Sequence, residues 1–83
     1  MNKDLEVIFK LKGKIYQGKL DNWYVDKYCD SDVVYGDYHK PNGDLTLRRT
    51  STIAAFHENN TIVETRNSWY ILGKPNKTFC CVQ

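Results

Sequence analysis

Pro41-Asn42-Gly43-Asp44 is the strongest local constraint in this 83-residue chain. Proline presets one turn position, and Asn-Gly accepts positive φ at little steric cost, so the chain reverses here. Both flanking segments are rich in β-branched and aromatic residues. The sequence therefore predicts two antiparallel strands, roughly 33–39 and 45–56, joined by this turn. Val33, Val34, Tyr35 and Tyr38 carry the first, with Gly36 as a candidate bulge.

The same grammar extends along the chain. Leu5, Val7, Phe9 and Leu11 alternate with Glu6, Ile8, Lys10 and Lys12, the period of a half-buried strand. Gly13 and Gly18 bracket Ile15 and Tyr16, a short strand or a bend. Trp23, Val25 and Lys27 alternate with Tyr24, Asp26 and Tyr28 as another strand. Cys29-Asp30-Ser31-Asp32 reads as a turn. His57-Glu58-Asn59-Asn60 is a turn before a strand from Thr61 to Thr65, and Arg66-Asn67-Ser68 is a turn before Trp69 to Leu72. Gly73 to Lys77 is a loop, and Phe79 to Val82 a final strand or tail. No window of helical length carries a 3.6-residue apolar period. The expected fold is all-β with little helix: one domain over 1–83, a small antiparallel meander or open barrel of five to seven short strands. Neither internal repeats nor low-complexity segments are visible.

At this length folding buries only about 60–65% of the unfolded chain's surface, and open sheet edges stay unpaired. A homo-oligomer, at least a dimer, is expected. Six Tyr, two Trp and three Phe exclude a disordered tail. No apolar run has the length of a membrane span, so no membrane partner is expected. Twelve Lys and Arg stand against ten Asp and Glu, for a net charge of +2. That is too little for a nucleic-acid binder, and nucleic acid is an unlikely partner. The charge is blocked, however. Residues 1–20 carry five lysines against two acids, residues 21–44 six aspartates against two lysines, and residues 45–83 five bases against two acids. Cys29, Cys80 and Cys81 form an odd set, which argues against a disulfide framework and for a reducing compartment. No secretion signal is visible at the start, so a cytoplasm is expected.

Catalytic chemistry finds little to stand on. His39, His57 and Cys29 lack metal-ligand spacing, and no metal or cofactor is expected. Asp26, Asp30, Asp32 and Asp37 lie near a turn, where Asp is favoured for backbone hydrogen bonds. There is no phosphate loop opening a helix, and the chain is not expected to be an enzyme.

Binding chemistry concentrates in the last third. All three arginines lie there, and Arg presents a planar fork to phosphate oxygens. Hydroxyls follow Arg48 and Arg49 at Thr50, Ser51 and Thr52. Arg66 precedes Asn67, Ser68, Trp69 and Tyr70. An amide can read a base edge and an aromatic can stack on it. The candidate ligand set is Arg48, Arg49, Thr50, Ser51, Phe56, Arg66, Asn67, Ser68 and Tyr70. Structural roles compete for each. Asn67 suits a left-handed turn position, the hydroxyls suit a strand end, and Arg48 and Arg49 on one strand point to opposite faces.

The succession Trp23-Tyr24-Val25-Asp26-Lys27, Val34-Tyr35-Gly36, Thr50-Ser51-x-Ile53 and Val63-x-Thr65-Arg66-Asn67-Ser68-x-Tyr70-x-Leu72-Gly73 resembles a layout found in small phage and mobile-element proteins. It covers about 50 of the 83 residues. It is similar to that of the phage anti-Thoeris sponges, symmetric oligomers that sequester cyclic ADP-ribose isomers, and in some cases cyclic nucleotides, without cleaving them. The resemblance implies a cyclic nucleotide-type ligand at a subunit junction in the host cytoplasm. Asn67 and Phe56 would meet base or ribose, and Arg66 with Arg48 or Arg49 would hold phosphate. The alternative expectation is a protein-binding inhibitor of a host defence nuclease, anti-CRISPR-like or a toxin antagonist. Its acidic block from Asp21 to Asp44 would dock on a basic groove.

Overall fold

The computed structural model describes residues 3–40 and 42–76. Helix α1 (Lys3–Leu11) is followed by strands β1 (Ile15–Tyr28), β2 (Ser31–His39), β3 (Leu45–Arg49), β4 (Ile53–His57), β5 (Ile62–Thr65) and β6 (Ser68–Leu72). The all-β expectation holds, with six strands in one sheet of order β3-β2-β1-β6-β5-β4 that is not closed into a barrel. Pro41, Lys77 and the segment Phe79 to Val82, with Cys80 and Cys81, lie outside the described residues.

The sheet is two antiparallel meanders, β1-β2-β3 and β4-β5-β6, joined through their first and last strands. That junction differs from the antiparallel expectation, because β1 and β6 run parallel, Ile15 beside Ser68 and Leu20 beside Leu72. The strand expected over 45–56 divides into β3 and β4, which occupy opposite sheet edges. Residues 50–52 span the gap between them, so the sheet must curl. Thr50 fastens the curl: its N–H donates to the Val34 carbonyl at 2.9 Å, and its hydroxyl accepts the Val34 N–H at 3.0 Å.

Residues 5–12, expected as a strand, belong instead mainly to α1. Both periods coexist in that stretch, and burial decides between them. Leu5 and Phe9, one helical turn apart, are buried. A strand would also have placed apolar Ile8 among the charged residues. Asp4 and Glu6 in the first turn and Lys10 in the last complement the helix dipole. Gly13, with φ +73°, ends the helix in a Schellman turn: its N–H donates to the Lys10 carbonyl, and the Lys14 N–H to the Phe9 carbonyl.

Gly13 and Gly18 do not bracket a separate short strand. Strand β1 runs unbroken through Gly18, and irregularities at Gln17 and at Asn22-Trp23 bend it. The second bulge sits opposite Gly36 rather than on it, since Asn22 and Trp23 together face that glycine. A Cβ on Gly36 would stand 3.1–3.2 Å from Asp21, Leu20 and Trp23 atoms, so β2 approaches the bulge more closely than side chains ordinarily pack.

Alternation along the strands makes two apolar layers. The inner face buries Leu20, Trp23, Val34, Val63, Tyr70 and Leu72. The outer face of β5 and β6 buries Ile62 and Trp69 against Leu5 and Phe9 of α1. The Phe9 ring stacks on Trp69 at 5.1 Å and meets His57 edge-on at 5.5 Å. Beneath the helix end lies Glu64, its side chain only 5% exposed. Lys12 and Lys14 each reach it at 3.2 Å and His57 Nε2 at 3.0 Å. Lys14 also donates to the Thr65 and Arg66 carbonyls.

Candidate functional site

The β1–β2 connection is a two-residue turn, Cys29-Asp30, with both residues at positive φ. That tight reversal pairs Tyr28 with Ser31 and carries the hairpin tip beside the 50–52 loop. Between them opens a crevice of about 250 Å³, lined in part by Tyr28, Arg49, Ser51, Thr52 and Arg66. Arg49 arrives from the end of β3, and its guanidinium lies 3.5 Å above the Tyr28 ring centroid. This cation–π contact fixes the planar group while leaving edge N–H donors for a ligand. Arg66 follows β5, and its N–H donates to the Thr52 carbonyl at 3.0 Å. That bond ties the two loops that form one wall. Among the described residues, no carboxylate lies within ion-pair distance of Arg49 or Arg66. Arg49 and Arg66 therefore both line one small hydroxyl-rich space whose lining includes no acidic residue among those described.

Of the nine expected ligand residues, the crevice gathers Arg49, Thr50, Ser51 and Arg66. Thr50 contributes wall rather than donors, because its hydroxyl, besides its bond to Val34, donates to the Ser51 carbonyl at 2.8 Å. The other five residues lie elsewhere. Arg48 points to the inner face and covers the Tyr38 ring at 3.9 Å, as alternation along β3 requires. Tyr70 is buried in the inner layer, and Phe56 packs half-buried against it, 6.1 Å from Trp23. Asn67 is exposed in the β5–β6 turn and gives its carbonyl to the Ile15 N–H, at a φ outside the left-handed region. Ser68 accepts from Gln17 Nε2 at 3.4 Å.

Sequence reasoning missed Tyr28. The signal lay in the alternation of Tyr24, Asp26 and Tyr28 against Ser31, Val33 and Tyr35. With a two-residue turn at 29–30, that register sets all six on one face.

A larger hollow of about 720 Å³ lies beside the Asn22-Trp23 bulge of the β1–β2 ladder, between Lys19, Asp21, Asn22 and the segment from Gly73 to Asn76. It includes none of the nine candidates. Lys19 and Lys74 stand there against Asp21, whose carboxylate also binds His39 at 2.6 Å and accepts the Lys74 N–H at 3.2 Å. Burial works against the Asp21 charge, yet His39, the Lys74 N–H and nearby Lys19 outweigh it and hold the carboxyl below its usual range. The smaller crevice, by contrast, has two arginines and no acid among its lining residues. Among the described residues, no helix is long and apolar enough to cross a membrane. No protein-family description matches the chain, and no curated protein or solved structure matches it.

Proposed function

We propose that the chain is a binding protein that sequesters a cyclic nucleotide or cyclic ADP-ribose-type immune signal without cleaving it. It would act as a phage counter-defence protein in the host cytoplasm, with a second copy closing the site. One observation carries the reading: Arg49 and Arg66 line a common crevice with hydroxyl neighbours, and among the described residues neither has a carboxylate in pairing range. Such a space favours a dianion such as phosphate, and charge-assisted hydrogen bonds from guanidinium are the stronger kind. At about 250 Å³ the crevice falls below the roughly 300–1,000 Å³ of whole small-molecule sites. It suits the phosphate end of a ligand, with the remainder lying outside.

The test is a melting-temperature screen of the purified chain against cyclic ADP-ribose isomers and cyclic dinucleotides. Ligand present at 100 times its Kd adds about 2.7 kcal/mol of stability, a shift of many degrees for a domain of this size. The shift should vanish in Arg49→Ala/Arg66→Ala, and the ligand should return intact after denaturation. No shift with any member, or unchanged binding in the double variant, overturns the reading.

A second reading has its own observation. Asp26, Asp30 and Asp32 are exposed around the β1–β2 hairpin. That end would suit a basic groove of a host nuclease, and salt-sensitive inhibition lost in Asp26→Asn/Asp30→Asn would favour it.

A further inference from the structure

We infer that Tyr24 and Tyr35 form the base-stacking part of the nucleotide site, beside the phosphate crevice on the outer face of β1-β2-β3. This rests on the phosphate reading of the crevice and assigns the portion of the ligand that the crevice cannot hold. The register supplies the geometry. Tyr24 is the cross-strand partner of Tyr35, and Tyr35 is the partner of Arg49. The two rings lie nearly parallel, 18° apart in plane with centroids 5.5 Å apart. Both are only partly buried. Helix α1 covers the outer face over β5 and β6, whereas these tyrosines lie on the other meander.

Directly opposed residues on one sheet face have Cβ atoms about 4.5–5.5 Å apart. The aromatic pair thus adjoins Arg49, which also lines the crevice, so one compact molecule can rest its base on the rings and its phosphate on the guanidinium. Charge narrows the class further. Asp37 and Asp26 flank the pair by alternation on the same strands, Asp26 on the crevice side, where it is the cross-strand partner of the crevice-lining Val33. A polynucleotide would carry phosphates past both carboxylates. The proposed ligand is therefore a mononucleotide unit, free or within a small cyclic molecule. Asn67 and Phe56, assigned to the base by resemblance, are at neither place.

The experiment titrates the full chain with the four ribonucleoside 5′-monophosphates, ribose 5-phosphate and inorganic phosphate, reading affinity and tyrosine-ring NMR shifts. Stacking predicts at least one nucleotide binding roughly tenfold to a hundredfold tighter than ribose 5-phosphate, with shifts at Tyr24 and Tyr35. Tyr35→Leu should bring that nucleotide down to the affinity of ribose 5-phosphate and leave ribose 5-phosphate unchanged, while Tyr35→Phe keeps the preference. Equal binding of nucleotide and ribose 5-phosphate, or still tyrosine rings in the unsubstituted protein, overturns the inference and leaves the crevice standing. Failure of every phosphate compound to bind overturns both. An oligonucleotide binding more tightly than any mononucleotide, with a steep salt dependence, overturns the compact-ligand assignment.

Discussion

Gly73 lies against the ends of two flexible side chains. A Cβ there would fall 1.7 Å from Asp21 Oδ1 and 2.9 Å from Lys19 Cε. Gly73→Ala must push the Asp21 carboxylate away from His39 and from the Lys74 N–H. It also disturbs a carbonyl that accepts the Trp23 indole N–H at 3.0 Å. Moving that part-exposed carboxylate costs chiefly its hydrogen bonds, about 0.5–1.5 kcal/mol. Thermal melts should show a fall of roughly 4–8 °C per kcal/mol, and an unchanged melt would refute the crowding argument. The same scale shows what single residues told in advance. That Arg48 and Arg49 part company follows from strand alternation alone. That Thr50 spends its hydroxyl on Val34 and Ser51 does not, because it depends on a contact between residues 16 positions apart. Asn67 was misjudged as a left-handed turn residue, since propensity is blind to which member of a short turn bears the positive φ. Those positions fall instead at Cys29-Asp30 and Glu58-Asn59-Asn60.

Among the elements, α1 is the one whose type differs from the expectation. Leu5 to Lys12 satisfies a period of two, and the arbiter, an uncovered outer face on β5 and β6, is tertiary. Glu64 secures the helix end to that face. Burial alone would raise its pKa, but the bonds from His57, Lys12 and Lys14 prevail and hold the carboxyl below its usual value near 4.5. A depressed folded-state value means the native state keeps its carboxylate charged where the unfolded chain takes up a proton. The resulting stability is present in full above about pH 4.5 and is lost as pH falls through the folded value. Glu64→Gln should cost about 1.5–3 kcal/mol at neutral pH, the range for hydrogen bonds to charged groups. It should also flatten the acid limb of the stability curve. Denaturant titrations between pH 3 and 7, the lower limit being roughly where carboxylates finish protonating, would reveal an unaltered limb if Glu64 were merely solvated.

At the level of the molecule, the count and succession of strands were legible because turn residues punctuate a short chain. The parallel β1–β6 junction was not, since nothing local distinguishes it from a continued meander. Among the described residues β3 and β4 are the edge strands, and Leu45 and Leu47 are exposed at 57% and 65%. Exposed edges with apolar side chains invite a second strand unless guarded. Sedimentation at tens of micromolar should therefore return at least twice the 9.7 kDa chain mass, and a strictly monomeric boundary would contradict the expected assembly.

The pairing of β1 with β6 also sets an order of events at synthesis. Ile15 meets Ser68 only after about fifty further residues have been made. A nascent chain holding β1-β2-β3 has formed its hairpins but still lacks the strand that completes the inner core. The face built from Leu20, Trp23 and Val34 stays wet until the ribosome has delivered Tyr70 and Leu72. Closing so distant a contact slows folding relative to a local meander. The half-made sheet therefore remains open to chaperones until the last strand emerges.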